Sequence, residues 1–353
     1  MTDEDEPTEV VVRVLGVAVG IPATAGDAAR LRRQWSRALT DEKPVTVLDL
    51  AELQDADDVA RDYAITTRVT MAALDATAGR RINLHAGAVA DDQGRTLSVI
   101  GPSGSGKTTA IKMLASRLGY LSDETTSVDE RLGVHAHAKP LSVITDPLVP
   151  LTKTSLSPDD LGLAVPPEEA YLHRIVMLHR GEDDDGLVPL APAHAIAEIV
   201  EQTSSLVQLE HPIRRLADAI DACGGVWSLR YREFEDWLAT LLDLLDQEGQ
   251  PPPARLHHPG VANVVAPAPG TWGRAPWHDA VEYDDELVLM IGDRVHVLAG
   301  LGVVLWLALD TPAGLEDLVA EVEALWGAHP DAATLVADAL AVMDEAGMVR
   351  PPA

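Results

Sequence analysis

The chain has one cysteine, one phenylalanine and five lysines among its 353 residues. A single cysteine, Cys223, excludes an internal disulfide and fits a reducing compartment. No run of about 18 apolar residues occurs, so the sequence offers no membrane-spanning helix. Residues 1–9 are acidic and lack the basic-then-apolar layout of a secretory signal. These absences lead to the expectation of a cytoplasmic protein with no membrane partner. Positive charge is also scarce: 27 Lys and Arg face 56 Asp and Glu, for a net charge of −29. Such a surface repels polyanions, so nucleic acid is excluded as an expected partner. Hydrophobic residues make up 46% of the chain. That is enough for a globular protein, and the length allows two domains.

Proline clusters divide the sequence. Gln247-Glu-Gly-Gln-Pro-Pro-Pro-Ala, Pro259-Gly and Pro267-Ala-Pro-Gly270 read as a linker over 247–270, because clustered prolines interrupt helix and strand alike. Before it lie an N-terminal α/β part, 1–80, and a larger region, 81–246. After it lies a tail, 271–353. The valine-rich stretch Glu9–Ile21 reads as one strand, Ala25–Leu39 as a helix, Pro44–Leu50 as a strand and Asp57–Thr77 as a long helix. Two apolar runs follow, Ile82–Ala90 and Thr96–Ile100, with a turn at Asp91-Asp-Gln-Gly94 between them.

The strongest chemical pattern comes next. Gly101-Pro-Ser-Gly-Ser-Gly-Lys-Thr108 matches G-x-x-x-x-G-K-[ST], with a strand (Leu97–Ile100) before it and an amphipathic helix (Thr108–Leu118) after it. In such a loop Gly101, Gly104 and Gly106 let the backbone curl, so that N–H groups around Ser103, Ser105 and Thr109 point at phosphate oxygens. The helix N-terminus adds favourable dipole potential. Lys107 bridges the outer phosphates and the Thr108 hydroxyl ligates magnesium. The expected cofactors are therefore ATP and Mg2+. The carboxylates Asp123 and Glu124 follow a second short apolar run. They fall at a strand's C-terminal end, where open α/β sheets face their ligands.

The segments Leu84-His-Ala-Gly-Ala-Val89 and Leu118-Gly-Tyr-Leu-Ser-Asp-Glu124, taken with the glycine-rich loop, resemble the HPr kinase/phosphorylase family and its smaller relatives. The resemblance spans roughly residues 80–130. It implies phosphate transfer from ATP to a serine hydroxyl of a protein or peptide. By position it makes Asp123 the general base or a magnesium-linked carboxylate and gives His85 a supporting role at the phosphate. The sequence departs from the family in having Glu124 where the second acid is Asp. A histidine in an apolar strand is also what a hydrogen-bonded core residue looks like, and Asp123 also reads as a solvated turn acid. Arg174, Arg180 and Arg214 are candidates to face developing phosphate charge, or else ordinary ion-pairing arginines. Asp183-Asp-Asp185 reads as a solvated loop, and His135, His137 and His173 show no zinc-ligand spacing.

In the tail, Trp277–Tyr283, Glu286–Ile291 and Arg294–Leu298 read as strands, and Leu301–Leu309, Leu315–Trp326 and Asp331–Ala346 as helices. This order resembles the PqqD-like family over nearly all of 274–350, which implies binding of the leader segment of a ribosomally made precursor peptide. The edge of Arg294–Leu298 would accept the peptide as an added strand, with the last helix as the other wall. Four arginines against fifteen acids give residues 251–353 a charge of −11, which favours a peptide carrying positive charge. A dimerisation or capping module is the other reading of the tail.

The expectation is thus an α/β P-loop NTPase domain of HPr-kinase type with a small winged-helix-like α+β domain. As a kinase it would phosphorylate Ser or Thr in a precursor peptide recruited by its leader. The alternative is an ATP-gated binding or assembly protein that transfers no phosphate. Homo-oligomer formation stays open.

Overall fold

The computed structural model describes residues 7–53, 56–144, 153–181 and 186–352. The acidic run Asp183–Asp185 lies outside them. The fold is mixed α/β, and the chain divides into two compact units. The first comprises Met1–Pro189, Gln202–Gln208 and Ala222–Gln250. The second comprises Leu190–Glu201, Leu209–Asp221 and Pro251–Ala353. No helix among the described residues is long and apolar enough to cross a membrane.

In the first unit the valine-rich start is a hairpin rather than one strand. Pro7–Val14 pairs antiparallel with Val17–Thr24, and Leu15 and Gly16 form the turn with φ of 51° and 70°. Two successive positive φ values are what a tight hairpin turn matched to strand twist requires. The turn is hidden in sequence because Leu15 is as apolar as its neighbours and fully buried. Helix Ala25–Gln34 stops short of the expected Leu39. Helix Asp58–Thr77 begins where expected, with the Asp57 carboxylate accepting from the Ala60 N–H at 2.8 Å.

The centre of this unit is a six-stranded sheet. Its order is Gly186–Leu190, Val226–Tyr231, Tyr171–Arg180, Arg95–Ile100, Ala86–Ala90 and Gly119–Ser122. Tyr171–Arg180 runs parallel to both Arg95–Ile100 and Val226–Tyr231. Ala86–Ala90 is antiparallel to Arg95–Ile100 and to Gly119–Ser122. The run expected as a single strand over Ile82–Ala90 breaks at His85. Ile82–Leu84 pairs instead with Thr126–Val128 in a different sheet. Helix Lys107–Leu114 covers the large sheet, burying Ala110, Ile111 and Leu114 among Val89, Leu97, Val99 and Val176.

In the second unit four antiparallel strands lie in the order Leu256–Val261, Trp277–Glu282, Glu286–Ile291 and Arg294–Ala299. Leu256–Val261 falls inside the stretch read as a linker. Pro259 is tolerated there because the strand lies at the sheet edge, where a missing N–H breaks no ladder. Helices Leu301–Ala308, Leu315–Trp326 and Ala332–Glu345 pack together around Trp306, Val336 and Leu340. The sequence reading placed residues 190–201 and 209–221 in the preceding region; here they join this unit. Helix Pro192–Val200 buries Ala193, Ile196 and Ile199 and packs on Glu286–Ile291 and Arg294–Ala299. An apolar helix stripe states that it needs a partner, and the periodicity does not say which one.

Gly87 generates a test of this packing. A Cβ on Gly87 would lie 2.2 Å from Ile111 Cγ1, so the strand and the helix above it approach as closely as they do only because residue 87 has no side chain. Gly87→Ala is expected to destabilise the first unit by roughly 1–3 kcal/mol in urea denaturation. Unchanged stability would contradict this packing.

Candidate functional site

Strand directions gather the site. Arg95–Ile100, Gly119–Ser122, Tyr171–Arg180 and Val226–Tyr231 all end at one edge of the sheet, and Ala86–Ala90 begins there. The residues just past these ends are Gly101, Asp123 and Glu124, and the residue just before Ala86 is His85. Gly101 and Asp123 are separated by the width of the intervening strand. Two strand spacings are about 10 Å.

The loop Gly101–Gly106 leads into helix Lys107–Leu114. Gly104 and Gly106 have φ of 85° and 86°. Gly106 is constrained twice, since a Cβ there would sit 2.4 Å from the Tyr231 hydroxyl. That hydroxyl donates to the Ser105 carbonyl and ties the loop to the end of Val226–Tyr231, two strands away in the sheet. Lys107 folds back, its ammonium donating to the carbonyls of Gly101 and Pro102. Burial lowers the Lys107 pKa, and attraction by Glu124 opposes that shift. Thr108 and Thr109 are exposed in the helix's first turn, Ser103 is exposed and Ser105 is buried. A helix's first turn leaves its N–H groups without intrahelical acceptors. Those N–H groups, an ammonium and a threonine hydroxyl form a donor set suited to a polyphosphate with a hard divalent cation.

At the next strand end, Ser122 Oγ accepts from the N–H groups of Glu124 and Thr125 at 3.1 and 2.9 Å. This turns the chain sharply after Asp123. The Asp123 side chain is largely buried, and Tyr120 donates its hydroxyl to Oδ1 at 2.9 Å. Lys139 Nζ lies 3.4 Å from the same oxygen and 3.2 Å from Glu124 Oε2. Both partners of Asp123 therefore act on Oδ1, leaving Oδ2 with lone pairs to offer. Burial disfavours the Lys139 ammonium, but Asp123 and Glu124 outweigh it and raise its pKa. Such a pair persists only because each charge is compensated in place. Behind it, His137 is fully buried, and burial followed by repulsion from Lys139 pushes its pKa down to about 3. Thr70 Oγ donates to the Thr66 carbonyl at 2.9 Å and lies 3.0 Å from His137 Nε2. Its one proton is thus committed, so it accepts from a neutral imidazole protonated at Nε2.

His85 is exposed rather than a core residue. Its ring Nε2 lies 2.7 Å from Ser204 Oγ, and its backbone N–H donates to the Gln202 carbonyl. His85, Glu124, Lys139 and Ser204 line one cleft of about 460 Å³, whose opposite wall is the outer face of helix Asp58–Thr77, including Tyr63 and Met71.

The three arginines separate. Arg180 ends its strand with its Cδ within 4 Å of the Gly106 Cβ position, and it is half exposed beside Glu233. Arg174 lies in the body of that strand, buried. It donates to the carbonyls of His173, Cys223, Leu244 and Gln247, so it is a structural clamp and not a phosphate contact. Arg214 belongs to the second unit, where its guanidinium lies 3.8 Å from Asp218. Sequence reasoning missed Tyr120, Lys139 and Tyr231. Lys139 carried one faint signal: lysine is rare in this chain, and this one follows a histidine pair at 135 and 137. Nothing in the spacing linked it to Asp123, because the strand pairing of Thr126–Val128 with Val134–His135 brings it back.

Arg174→Ala leaves several buried carbonyls unpaired. It is expected to lower the unfolding free energy by roughly 2–4 kcal/mol in urea titration. Arg174→Lys should not restore it, because an ammonium cannot reproduce the guanidinium's spread of donors. Full rescue by lysine would contradict the clamp.

Comparison with protein-family models and with curated proteins finds no match for this chain.

Proposed function

We propose that the chain is an ATP-dependent phosphotransferase that phosphorylates a Ser or Thr hydroxyl of a ribosomally made precursor peptide. On this reading the first unit is a P-loop domain of HPr-kinase type. The second contains a winged-helix-like module that takes the peptide's leader. The observation that carries the proposal is Asp123. It is a carboxylate fixed through one oxygen by Tyr120 and Lys139, two strand spacings from the glycine-rich loop and next to the cleft lined by His85 and Glu124.

When bound, ATP with Mg2+ supplies the transferable phosphoryl group and its charge neutralisation. The backbone N–H groups of Gly104–Thr108 and the Lys107 ammonium would hold the phosphates, and the Thr108 hydroxyl and Glu124 would face the cation. Lys107 would exchange its contacts with the Gly101 and Pro102 carbonyls for phosphate oxygens. Asp123 Oδ2 would accept the proton of the peptide hydroxyl, while Tyr120 and Lys139 keep Oδ1 and the ring of partners in place. Arg180, beside Gly106, would be the arginine to meet phosphate charge. His85 would position the acceptor or a phosphate oxygen through the ring nitrogen not directed at Ser204. The leader would add to the edge of Arg294–Ala299, which pairs with Glu286–Ile291 on its other side. Carrying the recruiting module on the same chain raises the local concentration of the acceptor.

Asp123→Asn keeps shape and removes the negative charge. Nucleotide affinity is expected to persist while phosphate transfer, detected as added mass on the peptide, falls by about two orders of magnitude or more. Loss of nucleotide affinity in step with the rate would make Asp123 a metal-holding group. A wild-type chain that binds ATP and leader yet transfers nothing would establish the ATP-gated alternative.

Val297→Asp tests the recruiting strand. Val297 is half-buried and pairs with the buried Val288. With folding confirmed by circular dichroism, the variant should bind the leader at least about tenfold more weakly while ATP binding is unchanged. Equal leader affinity would remove this strand as the docking edge.

A further inference from the structure

His211, His257 and Asp279 meet inside the second unit. His257 comes from the edge strand Leu256–Val261 and Asp279 from its neighbour Trp277–Glu282. His211 immediately precedes helix Pro212–Ala222, with φ of 51°, a left-handed conformation uncommon for residues other than glycine. Three segments distant in sequence thus place two imidazoles and a carboxylate together.

The Asp279 side chain is completely buried, and its two oxygens have different partners. Oδ2 accepts from the Arg214 backbone N–H at 2.9 Å, inside the first turn of the helix. Oδ1 faces both histidines, with His257 Nε2 at 2.6 Å and His211 Nδ1 at 3.8 Å. The imidazoles stand edge to face, their centroids 4.8 Å apart. A hydrogen bond between His257 and Asp279 accounts for the first distance. It does not account for His211, whose nitrogen is directed at the same oxygen from beyond hydrogen-bonding range. With neutral imidazoles the cluster buries a net negative charge, which is costly unless one imidazole is protonated to pair it or a metal is bound. Two protonated imidazoles in edge contact would repel each other.

We propose that His211 Nδ1, His257 Nε2 and Asp279 Oδ1 form a zinc site. Ligand atoms around a tetrahedral zinc are about 3.4 Å apart, given bonds of about 2.0–2.1 Å. The separations of 2.6 and 3.8 Å from Asp279 Oδ1 bracket that value, and all three ligand atoms lie within 4.8 Å of one another, so modest side-chain shifts bring the set to zinc geometry. The Arg214 N–H on Oδ2 fixes the carboxylate's rotation, the orienting role that partners of metal ligands commonly play. His211 also lines a cleft of about 470 Å³ together with Glu210, Trp277 and His278. Through His211 the site borders that cleft, and a fourth coordination position facing it would take water or a small anionic or carbonyl-bearing ligand. A nitrogen-nitrogen-oxygen set with one open position is the arrangement of Lewis-acid zinc. Binding converts His257 Nε2 from hydrogen-bond donor to ligand, with the ring proton of the neutral imidazole carried on Nδ1.

The site is independent of the phosphotransferase reading and can fail or stand without it. The test is zinc binding by the full-length chain, measured as retained metal after dialysis and by competition with a chromophoric chelator. The wild type is expected to hold one zinc per chain. His211→Ala and His257→Ala should each weaken binding by at least the roughly 100-fold that even outer partners of metal ligands can cost. Lys107→Ala should bind zinc as the wild type does. His211 is partly exposed and begins a helix rather than filling a core, so its variant reports on binding even where Asp279→Asn fails to fold. Added zinc should raise the Tm of the wild type and not that of His211→Ala. A wild-type chain that retains no zinc, or histidine variants that bind it equally well, would reduce the cluster to a buried hydrogen bond and overturn the proposal.

Discussion

The arrangement of the first unit turns on one strand register. Ala86–Ala90 runs against its neighbours on both sides, with Ala86 opposite Ile100 and Ala88 opposite Ser122. Because it is antiparallel to both, Arg95–Ile100 and Gly119–Ser122 point the same way and finish together. The glycine-rich loop and Asp123 are therefore set side by side, and His85 enters at the same edge. A shift of this strand by one residue would turn its alternate side chains to the wrong face. Its composition, Ala-Gly-Ala-Val-Ala, suits the role. Small residues let helix Lys107–Leu114 lie directly on the strand, and Gly87 gives Ile111 the space it occupies.

The same edge shows how polar groups are kept in a buried setting. Asp123, Glu124 and Lys139 hold one another, Tyr120 adds a hydroxyl, and the neutral His137 with Thr70 closes the rear. Glu124 is exposed, but Asp123, Lys139, Tyr120, His137 and Thr70 are held in place by these contacts with little or no exposure. That fixity separates a prepared carboxylate from a solvated turn acid. It is also why Arg180 and Arg174, six residues apart on one strand, differ so completely. One sits at the strand end beside the loop, and the other is held by four carbonyls within the unit.

How far the sequence predicted the structure depended on whether a feature was local. The glycine-rich loop, its preceding strand and the helix Leu315–Trp326 follow from neighbouring residues and appear where the pattern puts them, while the helix after the loop ends at Leu114 rather than Leu118. The hairpin at Leu15–Gly16 escaped because an apolar residue occupies a turn. The strand Leu256–Val261 escaped because proline on an edge strand looks the same in sequence as proline in a linker. Helices Pro192–Val200 and Pro212–Ala222 were not read from the sequence, nor was the unit that receives them. Lys139 and the grouping of His211, His257 and Asp279 depend on strand pairing across long loops, which no spacing in the chain records.

The most direct measurement is a crystal structure of the chain with magnesium and a non-hydrolysable ATP analogue. The account predicts the phosphates within the backbone N–H groups of Gly104–Thr108 and the Lys107 ammonium moved from the Gly101 and Pro102 carbonyls onto phosphate oxygens. It also predicts that the terminal phosphate faces Asp123. An analogue bound away from residues 101–108, or one whose terminal phosphate points away from Asp123 with Lys107 still on its carbonyls, would contradict it.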